Sequence, residues 1–136
     1  MRLDLYQAET ERIATEQEAV LEEARQILVS GKNLTLLQNN GVLHAMQLLV
    51  ENAIGKAKQW LKSDGLPVPV SAYDAFRALA QQHKLAQDDL AQWNALIGLR
   101  NRIVHDYMNV DVSRLYSLLI AREFAFVLDF LRRKHP

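Results

Sequence analysis

Four side chains between positions 100 and 107 carry the densest chemistry in the sequence: Arg100, Asn101, His105 and Tyr107. Arginine supplies a permanent cation with a planar fork, histidine changes protonation near neutral pH, and tyrosine offers a phenol. That set suits the handling of a phosphate. The segment runs Leu99-Arg-Asn-Arg-Ile-Val-His-Asp-Tyr107 and falls near the end of a predicted helix.

On that helix, a step of about 100° per residue gathers Leu96, Leu99 and Ile103 on one arc, which Trp93, Ile97 and Val104 widen. Arg100 falls near the middle of the arc, where a core leucine would be expected. An unpaired buried guanidinium is costly, so Arg100 must snorkel, meet an acidic or carbonyl partner, or line a polar cavity. Asn101 and His105, four residues apart, share a different face. One helix therefore points the arginine and the histidine into separate sectors, and a second copy of the chain across a twofold interface could complete the set. Arg102 and Asp106 are expected to form a solvent-facing ion pair. Trp60 and Trp93 each continue an apolar stripe and read as core residues.

The elements that must position this segment are helical throughout, an all-α, up-and-down bundle of about five helices. Tyr6, Ile13, Val20 and Ile27 recur every seven residues with Leu3, Thr10, Gln17 and Ala24 beside them, which predicts a long first helix that Gly31 stops. A second helix is expected from about Asn33 to Lys62 with Leu37, Leu48, Ile54 and Leu61 inward. Asn39, Asn40 and Gly41 are poor helix formers and predict a kink or a late start. Gly65, Pro67 and Pro69 make an extended loop. Ser71, with Asp74 three residues on, has the form of an N-cap for a third helix ending near Lys84. A fourth helix is expected to start between Ala86 and Asp89, and a fifth, capped by Asp111 or Ser113, to run to about Arg133.

Composition bounds the rest. The 136 residues suit one domain, 1–136, and such a length buries about two thirds of its unfolded surface without covalent staples. The absence of cysteine excludes a disulfide framework, a thiolate metal site and a cysteine nucleophile. His44, His83 and His135 have no ligand spacing around them, so neither a metal nor a cofactor is expected. The acidic, early-helical start fits no signal peptide and the apolar runs are short, which points to a cytoplasmic protein without a membrane span. Sixteen basic residues balance sixteen acidic ones, but unevenly. Residues 1–30 hold three arginines against seven acids, whereas residues 100–136 hold seven basic residues against four acids. Contact with RNA would favour the C-terminal third, although such blocks are commonly just solvated helix faces.

The spacing Arg100, four residues, His105, one residue, Tyr107 resembles the Arg-x-x-x-x-His-x-Tyr signature of the HEPN superfamily in its HepT-like toxin branch. Leu99 before it and Asn109-Val110-Asp111 after it are similar to that branch's usual surroundings, as is the order of long helices along the chain. The resemblance implies a metal-independent endoribonuclease toxin of a type VII-like toxin–antitoxin pair, acting on RNA as a homodimer with both motif copies at one cleft. It implies His105 as general base or acid and Arg100 as the group that stabilises phosphoryl charge, with Asn101 orienting His105 or a phosphate. It also implies a small nucleotidyltransferase antitoxin, using ATP and Mg, that attaches adenylate to Tyr107. Two other readings stay open: a non-catalytic nucleotide- or substrate-binding partner subunit of such a nucleotidyltransferase, and a structural helical interaction module in which Arg100 makes a buried ion pair.

Overall fold

The computed structural model describes residues 3–136, and every regular element in that range is helical. The order is α1 (Leu3–Val29), α2 (Leu36–Ser63), α3 (Ala72–Gln81), α4 (Leu90–His105), α5 (Val112–Ile120) and α6 (Ala125–Arg132). Short 3-10 turns at Gln87–Asp89 and Tyr107–Asn109 bracket α4. Helix α2 is the axis of the bundle, packing against α1, α3, α4 and α6, while α1 also packs on α5 and α6.

The heptad stripe of α1 lies one position off its true inner line. Thr10, Ala14, Leu21 and Ala24 are buried, whereas Val20 is exposed and Ile13 and Ile27 sit at the margin. Gly31 does end this helix: it takes a φ of +84° and donates its N–H to Leu28 O at 3.0 Å, and Lys32 N–H reaches Ile27 O at 3.2 Å. Only glycine adopts that backbone freely.

Helix α2 starts late, at Leu36, and then runs unbroken through Asn39-Asn40-Gly41. Thr35 caps it in a reciprocal box, its hydroxyl accepting from Gln38 N–H at 3.1 Å while the Gln38 side chain accepts from Thr35 N–H at 2.9 Å. The late start leaves Leu37 in the first turn, 82% exposed rather than inward, while Leu61 is fully buried. Ser71 caps α3 as expected, and of the two candidates for α5 it is Asp111 that accepts, from Arg114 N–H at 3.1 Å.

The expected long fifth helix is two helices. After Ile120 the chain turns through residues 121–124, with Arg122 at a φ of +58°. A left-handed arginine costs on the order of 1 kcal/mol. The turn puts its guanidinium on Glu18 and Glu22 of α1, and it buries Phe124. Arg132 of α6 reaches Glu18 as well, at 2.7 Å. The acidic N-terminal block and part of the basic C-terminal block thus face each other across the bundle.

Trp60 and Trp93 are core residues. Trp93 stacks on Phe76 at 4.3 Å between ring centroids and meets the edge of Phe130 at 5.2 Å, and Trp60 meets Phe130 at 5.2 Å. This cluster joins α2, α3, α4 and α6. Beside it Lys56 of α2 is wholly buried, its ammonium donating to Phe130 O at 2.7 Å, Leu131 O at 2.9 Å, Arg133 O and the side chain of Gln7 at 3.0 Å. Carbonyls at the end of a helix lack partners within it, and Lys56 supplies them for α6. Burial, with the charge of Arg133 adding to it, pushes this ammonium down to about 8. No helix among the described residues is long and apolar enough to cross a membrane.

Candidate active site

Helix α4 projects the motif from its last turns. Trp93, Leu96, Ile97 and Ile103 anchor its inner arc, Leu99 is half-buried and Val104 is exposed. Arg100, in the middle of that arc, meets an acidic partner and also lines a polar cavity. Its Nε and Nη2 each donate to Glu51 Oε1 at 3.3 Å, and Nη1 donates to Asn101 Oδ1 at 2.9 Å. The same Glu51 oxygen accepts from Gln47 Nε2 at 3.1 Å. The arginine side chain keeps 27% of its surface exposed, so this is a held cation that solvent and ligands still reach.

Glu51 carried a signal in the sequence, since it is the single acidic residue in the whole of α2. A buried-face arginine on one helix and a lone glutamate on a long apolar neighbour are natural partners. Arg100 and Asn101 open onto a cleft of about 550 Å3 that Glu51, Lys58, Ser71 and Tyr73 also line.

His105 does not line that cleft. It is the last residue of α4 and exposed, and the five-residue step from Arg100 turns it about 140° away around the helix. One chain brings Arg100 and Asn101 together and leaves His105 on a separate face. Asp106 leaves the helix at a φ of −146° and turns its carboxylate to Asn109 Nδ2 at 2.7 Å, so the expected ion pair with Arg102 is replaced by a local turn contact.

Tyr107 lies beyond the helix, in the 3-10 turn, so it does not continue the apolar arc. It is 50% exposed, and its hydroxyl donates to Asn40 Oδ1 at 3.1 Å. One residue earlier on α2, Asn39 Oδ1 accepts from Tyr116 OH of α5 at 2.7 Å. The two asparagines that weaken α2 as a helix therefore fix two tyrosines, a role invisible to propensity alone.

Asn40 shares a helix face with Leu36 and Leu37, four and three residues before it. Leu36 and Leu37 are exposed there, as are Val104, Met108 and Val112 on the elements flanking Tyr107, with Met108 at 90%. No three His, Asp or Glu side chains among the described residues gather where a metal ion could sit.

Three similarities to known proteins bear on this geometry. Residues 15–133 match the Ribonuclease HepT-like family. A stretch of 78 residues is 33% identical to the mRNA nuclease HepT of Shewanella oneidensis, spanning 56% of this chain and 58% of that protein's length. Among solved structures, the fold superposes with a TM-score of 0.72 on a tri-AMPylated Shewanella oneidensis HEPN toxin in complex with MNT antitoxin, at 21% identity over 97% of this chain and 98% of that one. A toxin–antitoxin structure with AMP-PNP superposes equally, with a TM-score of 0.72 at 21% identity over 96% and 99% of the two chains. Its own helical bundle, and a family match covering most of the sequence including the Arg100–Tyr107 segment, make this chain a member of the Ribonuclease HepT-like family.

Proposed function

We propose that the protein is an endoribonuclease toxin that cleaves RNA without a metal ion, through Arg100 and His105 brought together at a homodimer cleft. The observation that carries this is the pairing of a held, solvent-reachable Arg100 with an exposed His105 on another face of the same helix, in a chain of the HepT-like family. In the proposed step His105 of one copy accepts the proton of a ribose 2′-hydroxyl, the freed oxygen attacks the adjacent phosphorus beside Arg100 of the other copy, and the 5′-oxygen leaves with a proton from water. The products are a 2′,3′-cyclic phosphate and a 5′-hydroxyl. Arg100 offers its remaining N–H groups to the phosphoryl oxygens as charge builds on them, and Asn101 steadies the guanidinium at 2.9 Å.

The second copy is supported by the uncovered apolar side chains Leu36, Leu37, Met108 and Val112 beside the motif. A nucleotidyltransferase antitoxin, like the MNT partner of the structurally similar HEPN toxin, is proposed to control the cleft by adenylylating Tyr107. A bulky anion two residues from His105 would block the cleft and repel RNA phosphates.

The test is cleavage of a generic RNA by purified protein in EDTA. The wild type should cut it and leave cyclic phosphate ends, while Arg100→Ala and His105→Ala should each lose at least about a hundredfold in rate. Mixing the two inactive variants should restore part of the activity, because one site of the mixed dimer regains both residues. A wild type that cuts nothing overturns the ribonuclease reading, and variants that stay dead when mixed overturn the shared cleft.

A further inference from the structure

The cleft beside Arg100 is larger than a phosphate needs, and the proposed cleavage step uses only its edge. Its volume of about 550 Å3 lies within the range of small-ligand pockets. Ile54, Val70 and Ile97 give it apolar lining. Tyr73, at the start of α3, lies over α4 with its hydroxyl so near Gly98 that a Cβ there would come within 3.8 Å. The ring enters none of the aromatic pairs of the core and remains 39% exposed. Lys58 donates to Val70 O at 2.8 Å, which uses one of its three N–H groups and aims the ammonium at the cleft mouth's extended loop.

We propose that this cleft is a nucleotide subsite: it holds the nucleotide next to the scissile phosphate, with the base on the Tyr73 ring and the following phosphate on Lys58. This deepens the ribonuclease reading and rests on it for the position of the scissile phosphate at Arg100. The chemistry of the walls matches that of a nucleotide part by part. Apolar side chains and a phenol ring accept a flat base, since stacking on an aromatic tolerates any base. Two cations, Arg100 and Lys58, line the same pocket, one for each of two phosphates of a bound strand. Glu51 adds selection. Its carboxylate only accepts hydrogen bonds, so it favours a base that presents an exocyclic amino group over uracil, whose N3–H donor is flanked by two carbonyl oxygens that the carboxylate repels.

The test uses short DNA strands carrying a single ribonucleotide, so that one bond alone can be cut, with adenine, cytosine, uracil or an abasic residue at the neighbouring position. Fully 2′-deoxy versions with a fluorescent label report binding without cleavage. For the wild type, an abasic neighbour should raise KM and the dissociation constant on the order of tenfold, with uracil intermediate. Tyr73→Ala should bind every strand as weakly as the wild type binds the abasic one, while Tyr73→Phe keeps the ring and the preference. Lys58→Met should lower the dependence of log affinity on log salt by about one phosphate contact.

If Tyr73→Ala, Lys58→Met and the abasic strand all behave as the unmodified pair does, the subsite is overturned while the ribonuclease reading stands. Should the labelled strands show the Tyr73 and Lys58 dependence with no strand ever cut, the subsite is supported and the ribonuclease reading fails.

Discussion

Arg100 has five N–H groups, and Glu51 and Asn101 occupy three of them. This resolves how an arginine survives where a leucine belongs. Its charge is compensated inside the chain, its direction is fixed, and two donors remain for a ligand. The arginine's placement was legible from helical spacing, and so was the need for a partner. The identity of that partner required knowing which face of α2 turns toward α4. Tyr107 was legible as a motif residue but not as a structural one, because the wheel fails once Asp106 leaves the helix. Half-exposed and with its hydroxyl held by Asn40, it can present that oxygen to a modifying enzyme by giving up one side-chain hydrogen bond. Incubation with the proposed nucleotidyltransferase partner, ATP and Mg should therefore add adenylate to the intact protein, and Tyr107→Phe should abolish the gain. An adduct that survives the substitution would overturn the assignment.

At the scale of elements, several helix ends governed by local chemistry were readable, though the Thr35 box that starts α2 after the expected Asn33 was not, nor were breaks governed by tertiary contact. Gly31, Ser71 and Asp111 act locally and were each legible. The split between α5 and α6 was not. Ala121-Arg122-Glu123-Phe124 contains no glycine or proline, and the turn exists because Arg122 finds Glu18 and Glu22 a hundred residues away in the chain. Similarly Asn39 and Asn40 predicted weakness in α2, yet two tyrosine hydroxyls hold them within an unbroken helix. The Thr35 box starts that helix and so sets the register of both asparagines. Thr35→Ala should cost about 1 kcal/mol in urea denaturation. A loss below a few tenths would show that packing alone sets the start of α2.

For the molecule as a whole, the deepest unusual choice is Lys56, a buried ammonium where a bundle core would take leucine. Nothing in its helical spacing marks it, because the acceptors that stabilise it belong to α6 and α1. Burial holds it at about 8, below the 10.5 of an unhindered lysine. Below pH about 8 the folded and unfolded chains both carry the proton, and the fold bears the cost of the buried charge. Between about 8 and 10.5 the unfolded chain keeps a proton that the fold has lost, so stability rises with pH across that window, by on the order of 2 to 3 kcal/mol. Denaturation at a series of pH values should show that rise in the wild type and not in Lys56→Met. A wild-type profile that is flat or falling there would refute the assignment.

The same lysine ties the order of assembly to the order of synthesis. Its acceptors lie on α6, made after every other helix described, and on Gln7 of α1, made first. While α6 is still inside the ribosome, the Lys56 ammonium lacks its carbonyl acceptors and α1 lacks one of the three helices it packs against. The contacts of Lys56 with α6 close only after that helix emerges, although every residue lining the Arg100 cleft, from Glu51 to Asn101, is made before it. Closing the bundle around Lys56 is thus a long-range event that joins residues 49 to 77 positions apart, late in folding rather than early.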